Sequence, residues 1–341
     1  MDFTEILRLE NYGFIRSDER LNGRIMLLGV CGSYACGTDN EDSDIDLRGA
    51  VLMQPSDLIG FTEFEQFEDR ETDTVIYGFN KFIRLLSKCN PNALEILGLG
   101  KNGYVIRSEL GQEILDNTGL FLSKRVIKSY GSFANAQLRR FQNAQARDTL
   151  AQTDRERHIL ESVQYALDDF NRQHEKADGI RLYIDDSDNP EYETEIFVDA
   201  EYRHYPLRDY ANLWETMRLV VHSYDKAGKR KQRKDDKHLN KHALHLIRLL
   251  AAGTGILETG EIHTRNDAIL PLLMSIREGE YMQEDGTFSA KFYKVVEEHQ
   301  RMFNEAAKHT LLPDEPDEER IEAFVERVNR YVVTGDLPSV G

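Results

Sequence analysis

The chain is poor in cysteine and proline, holds a single tryptophan, and carries too few positive charges to balance its negative ones. Three cysteines in 341 residues, Cys31, Cys36 and Cys89, cannot build a disulfide scaffold. None pairs as Cys-x-x-Cys, which argues against a zinc ribbon and for reduced thiols in the cytoplasm. Eight prolines and 23 glycines exclude collagen-like and proline-rich low-complexity sequence. The longest apolar run, around Ile25–Cys31, is far short of the ~20 residues that a membrane helix needs. The N-terminal MDFTEILRLENYGFI has acids where a secretory signal needs a basic stretch and an apolar run. With 43 Lys and Arg against 60 Asp and Glu, the net charge is −17, the wrong sign for a general nucleic-acid coat. What is present, 40% hydrophobic and 30% charged residues, describes a globular protein of two domains or one large one, expected in the cytoplasm and off the membrane.

Hydrophobic patterning divides the chain near residue 110. Before it, Arg24–Ser33 is an apolar, partly β-branched run ending in Gly-Ser, the pattern of a buried strand that stops at a turn. Ser43–Met53 begins by alternating polar and apolar residues, and Thr72–Gly78 alternates again, so both predict strands. Apolar residues at 79, 82, 83 and 86 keep helical spacing. Asn90-Pro91-Asn92 then ends that helix and caps the next. This order predicts a small mixed sheet with helices on one face over residues 1–110. From 111 to 341, 3.6-period apolar stripes predict a mainly helical domain, interrupted by a hairpin near 180–184 and 195–200. The fold class is α+β.

The most informative stretch runs from Gly32-Ser33 to Ser43-Asp44-Ile45-Asp46-Leu47. Asp44 and Asp46, two apart on a strand, project from one face. Two adjacent carboxylates repel, which is tolerable where a cation neutralises them. Hard oxygen ligands with room left for water and phosphate describe magnesium. The upstream Gly-Ser ends a strand, where backbone N–H groups and a hydroxyl can hold a phosphate, and glycine lets the backbone approach closely. Together these predict a triphosphate seat beside a two-metal site, in which one ion serves the attacking oxygen and the other the leaving pyrophosphate. A third carboxylate from a neighbouring strand completes such a site. Asp73, at the head of the next strand, is the candidate, with Glu71 as the fallback.

Gly32-Ser33 followed by Ser43-Asp44-Ile45-Asp46-Leu47-Arg48-Gly49 resembles the DNA polymerase β-like nucleotidyltransferase superfamily, and more narrowly its RlaP group of RNA-repair-associated enzymes. Asn90–Leu97, Lys241–Leu250 and Leu312–Asp317 carry the likeness along nearly the whole chain. The resemblance implies a polymerase β-like catalytic domain followed by helices lining the nucleotide and acceptor cleft. It implies an enzyme of the EC 2.7.7 type that moves a nucleoside monophosphate from a triphosphate to an acceptor hydroxyl, with two Mg2+ ions (or Mn2+ in their place), releasing pyrophosphate. An RNA end is the favoured acceptor; a protein, a small molecule, or a non-catalytic nucleotide-binding regulator are the alternatives.

The likeness brings further residues into view, each with a plainer use. Lys128 and Ser132, one helical turn apart, can reach triphosphate oxygens together, and Tyr130 can stack on a base. The same stretch also reads as a solvated basic helix. His245 and Arg248 can face the cleft as phosphate contacts, or His245 can be a packing histidine. The run Lys226–Lys237, with Lys229, Arg230, Lys231 and Arg233, is the one strong positive cluster in an acidic chain. It suits an RNA backbone, or a solvated loop.

Overall fold

The structure is a computed structural model that describes residues 3–41, 43–149, 152–174, 178–186, 194–201, 203–228, 236–283 and 287–335. By packing the chain divides into two units. The first comprises Met1–Ala136, Leu244–Glu280 and Ala290–Gly341, and the second Gln137–Ala243 and Tyr281–Ser289. The boundary expected near 110 falls inside the first unit, because later segments return to it.

The first unit is built on a five-stranded mixed sheet of order β3-β4-β2-β1-β5. Its strands are β1 (Ile25–Cys31), β2 (Asp46–Val51), β3 (Gln66–Asp69), β4 (Thr74–Gly78) and β5 (Tyr104–Arg107). β1 runs antiparallel to β2 and β5, β2 parallel to β4, and β3 antiparallel to β4. Every residue of β1 is buried, as an apolar strand covered on both faces must be. One face of the sheet packs Val30, Leu47 and Ile76 against Ile6, Tyr12 and Ile15 from the N-terminal turns and the short α1 (Phe14–Ser17). The strands expected at β1, β2 and β4 are present. β3 and β5 carry too short an alternation to stand out in sequence, yet they form its edges.

Helices follow in chain order. They are α2 (Gly32–Cys36), α3 (Pro55–Ile59), α4 (Phe79–Ser87), α5 (Pro91–Leu97), α6 (Glu109–Asp116) and α7 (Arg125–Thr149), then α8 (Gln152–Gln173), α9 (Tyr210–Gly228), α10 (Asp236–Thr259), α11 (Leu270–Arg277), α12 (Ala290–His309) and α13 (Glu318–Thr334). On α4 the residues at helical spacing, Phe79, Phe82, Ile83 and Leu86, are all buried. Phe79 meets Phe324 of α13 edge-on at 5.7 Å. Asn90 caps α5, its side chain accepting from the Asn92 and Ala93 amides at 3.0 and 3.3 Å, with Pro91 in the first turn. The segment around Pro313 is tied to the start of α7, where the Lys124 amide donates to the Pro313 carbonyl at 2.8 Å and Lys124 Nζ pairs with Asp314 at 2.7 Å.

The second unit holds the antiparallel hairpin β6 (Asp178–Asp186) and β7 (Thr194–Glu201), where the sequence places one. Its core joins Val163, Leu167 and Phe170 of α8 to Ile180 of the hairpin and Leu213 and Val220 of α9. Among the described residues, no helix is long and apolar enough to cross a membrane.

Candidate active site

The site grows from the end of β1. After Cys31 the chain turns at Gly32, whose φ of +66° lies in the left-handed region that L side chains avoid. It then runs through the single turn of α2 and leaves through Gly37, also left-handed at φ +72°. The antiparallel register sets Cys31 opposite Asp46, the first residue of β2. The Asp46 carboxylate therefore lies over the Gly32 Cα, and a Cβ there would sit 1.9 Å from Asp46 Oδ2. Glycine is required twice, by backbone conformation and by space. The Gly-Ser turn and the second aspartate of the motif are thus in contact.

Asp44 stands just before the strand rather than on it, and is exposed. Among the described residues it makes no hydrogen bond or ion pair. Asp73 precedes β4 in a left-handed conformation, φ +43°. The parallel pairing sets Arg48 opposite Val75, and continuing that register back two residues puts Asp73 level with Asp46. Arg48 Nη2 pairs with Asp73 Oδ1 at 2.9 Å, and Arg48 Nη1 donates to the Asp73 carbonyl. Asp69, at the end of β3, accepts from the Thr72 amide and hydroxyl at 2.9 and 2.6 Å. Glu71, the fallback, is exposed.

The titration of neighbouring groups records the field at this edge. Burial raises the Tyr12 phenol above its usual range, and the charges of Asp46, Asp44 and Asp69 raise it further. Burial alone would lower the Arg48 guanidinium, but the Asp73 and then the Asp46 carboxylates outweigh it and hold it charged. Acids of the same sign thus gather at one end of the sheet, with the strand-borne cation Arg48 among them.

Among the described residues, no group of three or more His, Cys, Asp or Glu is drawn together tightly enough to hold a metal ion. Asp73 leans on Arg48 instead. The donor set itself is all carboxylate oxygen, which suits magnesium and not a soft or borderline metal. The Asp46 carboxylate occupies the space that the missing Gly32 side chain leaves. The residues fit the group in the chemistry of their oxygens.

Arginines that come later in the chain hold the stretch between the turn and the aspartates. Arg277 of α11 donates to the Thr38 carbonyl and, at 2.9 Å, to Ser43 Oγ, which also contacts Asn40. The Arg265 guanidinium lies over Gly37, leaving 3.1 Å to where a Cβ would be. Neither residue stands out in the sequence, since their partners are over 220 residues away.

The remaining expected contacts divide. Lys128 and Ser132 are exposed on one face of α7, which fits both a ligand face and a solvated helix. Tyr130 between them is 3% exposed and packs against Gly253, so it has no open face for a base and the stacking expectation is corrected to packing. His245 and Arg248 do not open onto a nucleotide-sized cleft. They line a cavity of about 40 Å³ with Tyr130, Glu95 and Cys36, where small-molecule sites span roughly 300–1,000 Å³. Arg248 is instead engaged with the Gly32 carbonyl, Cys36 Sγ and Glu95. The Gly32 amide, expected to face a phosphate, donates to Glu95 Oε1 at 2.8 Å. Of the turn's side chains, the half-buried Ser33 hydroxyl makes no hydrogen bond among the described residues. Glu95 is the residue that sequence reasoning passed over, although an acid inside the apolar run Ala93–Leu97 was its signal. Lys229, Arg230, Lys231 and Arg233 lie outside the described residues.

None of the curated proteins or solved structures compared matches the chain. Residues 10–165 match the family profile of RlaP, described as the RNA repair pathway DNA polymerase beta family. That span is narrower than the later segments suggest, but it contains the Gly-Ser turn, Asp44, Asp46, Asp73 and Glu95. Over that span the chain is similar to the RNA repair pathway DNA polymerase beta family.

Proposed function

We propose that the chain is a magnesium-dependent nucleotidyltransferase acting on an RNA end, with its chemistry on residues 1–110. The observation that carries this is the contact between the Gly32 turn and the Asp46 carboxylate, inside the region that matches the family. A phosphate seat and a cation ligand are built against each other, as transfer from a triphosphate requires.

Asp44, Asp46 and Asp73 would hold the two magnesium ions, with manganese as a substitute. The metal supplies charge neutralisation for the triphosphate and the leaving pyrophosphate. Ser33 would donate its hydroxyl to a phosphate oxygen, joined by Lys128 and Ser132 on α7. Asp73, steered by Arg48, would orient the acceptor hydroxyl. The acceptor oxygen then bonds to the α-phosphorus while the bond from that phosphorus to the bridging oxygen breaks. Pyrophosphate leaves, and the hydroxyl proton passes to solvent. Three unpaired, buried cysteines suit a reducing compartment, and we place the chain in the cytoplasm.

The test is pyrophosphate release from each labelled ribonucleoside triphosphate, with magnesium and an RNA acceptor. Asp44→Ala or Asp46→Ala abolishes release while the chain stays folded by circular dichroism; substantial activity in either variant overturns the assignment. Neutralising Lys229, Arg230, Lys231 and Arg233 together weakens RNA binding and flattens its salt dependence by roughly 0.7–0.9 log units for each phosphate no longer neutralised. An unaltered salt slope removes the basic run from the reaction and directs the search to protein or small-molecule acceptors.

A further inference from the structure

Both main-chain polar groups of Gly32 are taken by side chains from distant helices. The Gly32 amide donates to Glu95 Oε1 of α5 at 2.8 Å, and its carbonyl accepts from Arg248 Nη1 of α10 at 3.3 Å. The same arginine reaches Cys36 Sγ, at the far end of α2, at 3.0 Å, and its Nη2 faces Glu95 Oε2 at 3.5 Å. The two charged side chains are only 15% and 17% exposed. Glu95 is itself held by its helix, whose Ala93, Leu94 and Ile96 are buried and whose Glu95 carbonyl accepts from Thr264 Oγ1 at 2.8 Å.

A charged pair this far from water is a poor source of stability, because desolvation of the two ions offsets most of their attraction. An apolar pair would fill the same space at less cost. The pair does something that apolar side chains cannot, since it offers one acceptor to the Gly32 N–H and donors to the Gly32 carbonyl and to Cys36. It grips the turn at both ends of α2. Conversely, the Glu95 carboxylate at the Gly32 amide would repel a phosphate brought to that same group.

We propose that Glu95 and Arg248 are positioning residues for the turn: they hold Gly32 in its left-handed conformation under the Asp46 carboxylate, and with it the backbone that carries Ser33. Arg248 lies outside residues 10–165, so the inference assigns a part of the site to a segment beyond the family match. It rests on the reading of this turn as the seat of a triphosphate.

The rival role for Arg248 is direct contact with the triphosphate, and the sign of the Glu95 effect separates the two. Binding of the α,β-methylene analogues of ATP, GTP, CTP and UTP is measured by calorimetry with magnesium for Glu95→Ala, Arg248→Met and the double variant. Hydrogen exchange of the Gly32–Cys36 amides is followed without nucleotide. Positioning predicts that each single variant weakens binding about tenfold and that the double variant is no worse than the weaker single one, the mark of a pair acting as a unit. The Gly32 amide exchanges faster in both single variants, while exchange of the β1 core stays slow. Glu95→Gln, isosteric and still able to accept from Gly32, keeps binding and exchange within about threefold of the parent. Unchanged or tighter binding in Glu95→Ala with weaker binding in Arg248→Met overturns the proposal in favour of direct contact. Unchanged Gly32 exchange in both single variants overturns it too, as does failure of the glutamine to restore either reading. A parent protein that binds none of the four analogues refutes the proposed function instead, and the exchange measurement still decides whether the pair holds the turn.

Discussion

Replacing Gly32 with alanine isolates the contact on which the site depends. The new methyl group would lie 1.9 Å from Asp46 Oδ2, 2.9 Å from its Cγ and 3.3 Å from its Cβ. Carbon and oxygen at van der Waals contact need well over 3 Å, so the carboxylate must move by more than an ångström or the turn must open. Alanine also has to accept φ +66°, a strain of roughly 1–2 kcal/mol for a residue with a Cβ. Gly23 provides the control, because it has nearly the same φ, +68°, and nothing within 4 Å of its would-be Cβ. Gly23→Ala therefore has the backbone strain alone. By thermal or urea unfolding, both variants lose roughly 1–2 kcal/mol, with Gly32→Ala losing somewhat more. In the pyrophosphate-release assay they diverge. Gly23→Ala keeps its kcat, and Gly32→Ala loses about a hundredfold, the scale expected when a reacting geometry is displaced by about an ångström. A Gly32→Ala enzyme within about threefold of the parent would show that the Gly32–Asp46 contact does not set the geometry of transfer.

Further outcomes follow from local structure. Asn90→Ala removes the cap of α5 and costs about 1 kcal/mol of stability, read from chemical denaturation; no change would mean the Asn92 and Ala93 amides find water instead. Arg48→Met releases Asp73 from its ion pair. Because the Asp73 side chain is 60% exposed, stability changes by only about 0–1 kcal/mol, while the magnesium concentration needed for half-maximal activity shifts; an unchanged magnesium titration refutes a steering role for Arg48. Asp57 opposes its own desolvation with hydrogen bonds from Thr62, Arg20 and the Gln54 amide, so its carboxyl sits below the usual range. A group depressed on folding stabilises the protein above its unfolded pKa and loses that contribution as pH falls through the folded value. Unfolding free energy should therefore drop on acidification below about pH 4, and less so in Asp57→Asn; parallel pH profiles would remove Asp57 from the acid response.

The parts of the site legible in sequence are those set by short-range rules. Gly32, Ser33, Asp44 and Asp46 fall within fifteen residues, and the end of an apolar run followed by a second strand suffices to bring the turn and Asp46 together, whereas the alternation that put Asp44 on that strand overran its start. The Asn90 cap and the buried face of α4 were legible for the same reason, since periods of 3.6 and capping offsets are local. Glu95 and Arg248 were not. Their partner is a backbone amide and carbonyl, which leave no trace in residue identity, and 153 positions separate them. Tyr130 shows the opposite error: the basic residues around it suggested a ligand face, but a helix can turn its aromatic inward while its lysines stay in water. The edge strands β3 and β5 escaped notice because four residues give too little alternation to rise above a loop.

Charge explains why this edge of the sheet is arranged as it is. Asp44, Asp46, Asp69 and Asp73 converge where β2, β3 and β4 begin or end, and the raised Tyr12 phenol registers three of them. Like charges gathered this closely destabilise the fold unless cations or hydrogen bonds answer them. Asp69 is answered locally, by the Thr72 amide and hydroxyl. Asp73 is answered by Arg48, which also feels the Asp46 charge, though less strongly. Asp44 has no hydrogen bond or ion pair among the described residues, and the Asp46 carboxylate lies against the Gly32 turn. The negative potential that Tyr12 and Arg48 register therefore lies at this edge of the sheet. On the proposed function a divalent cation would be drawn there, and the acidic chain, at −17 overall, would turn a polyanionic acceptor away from other approaches.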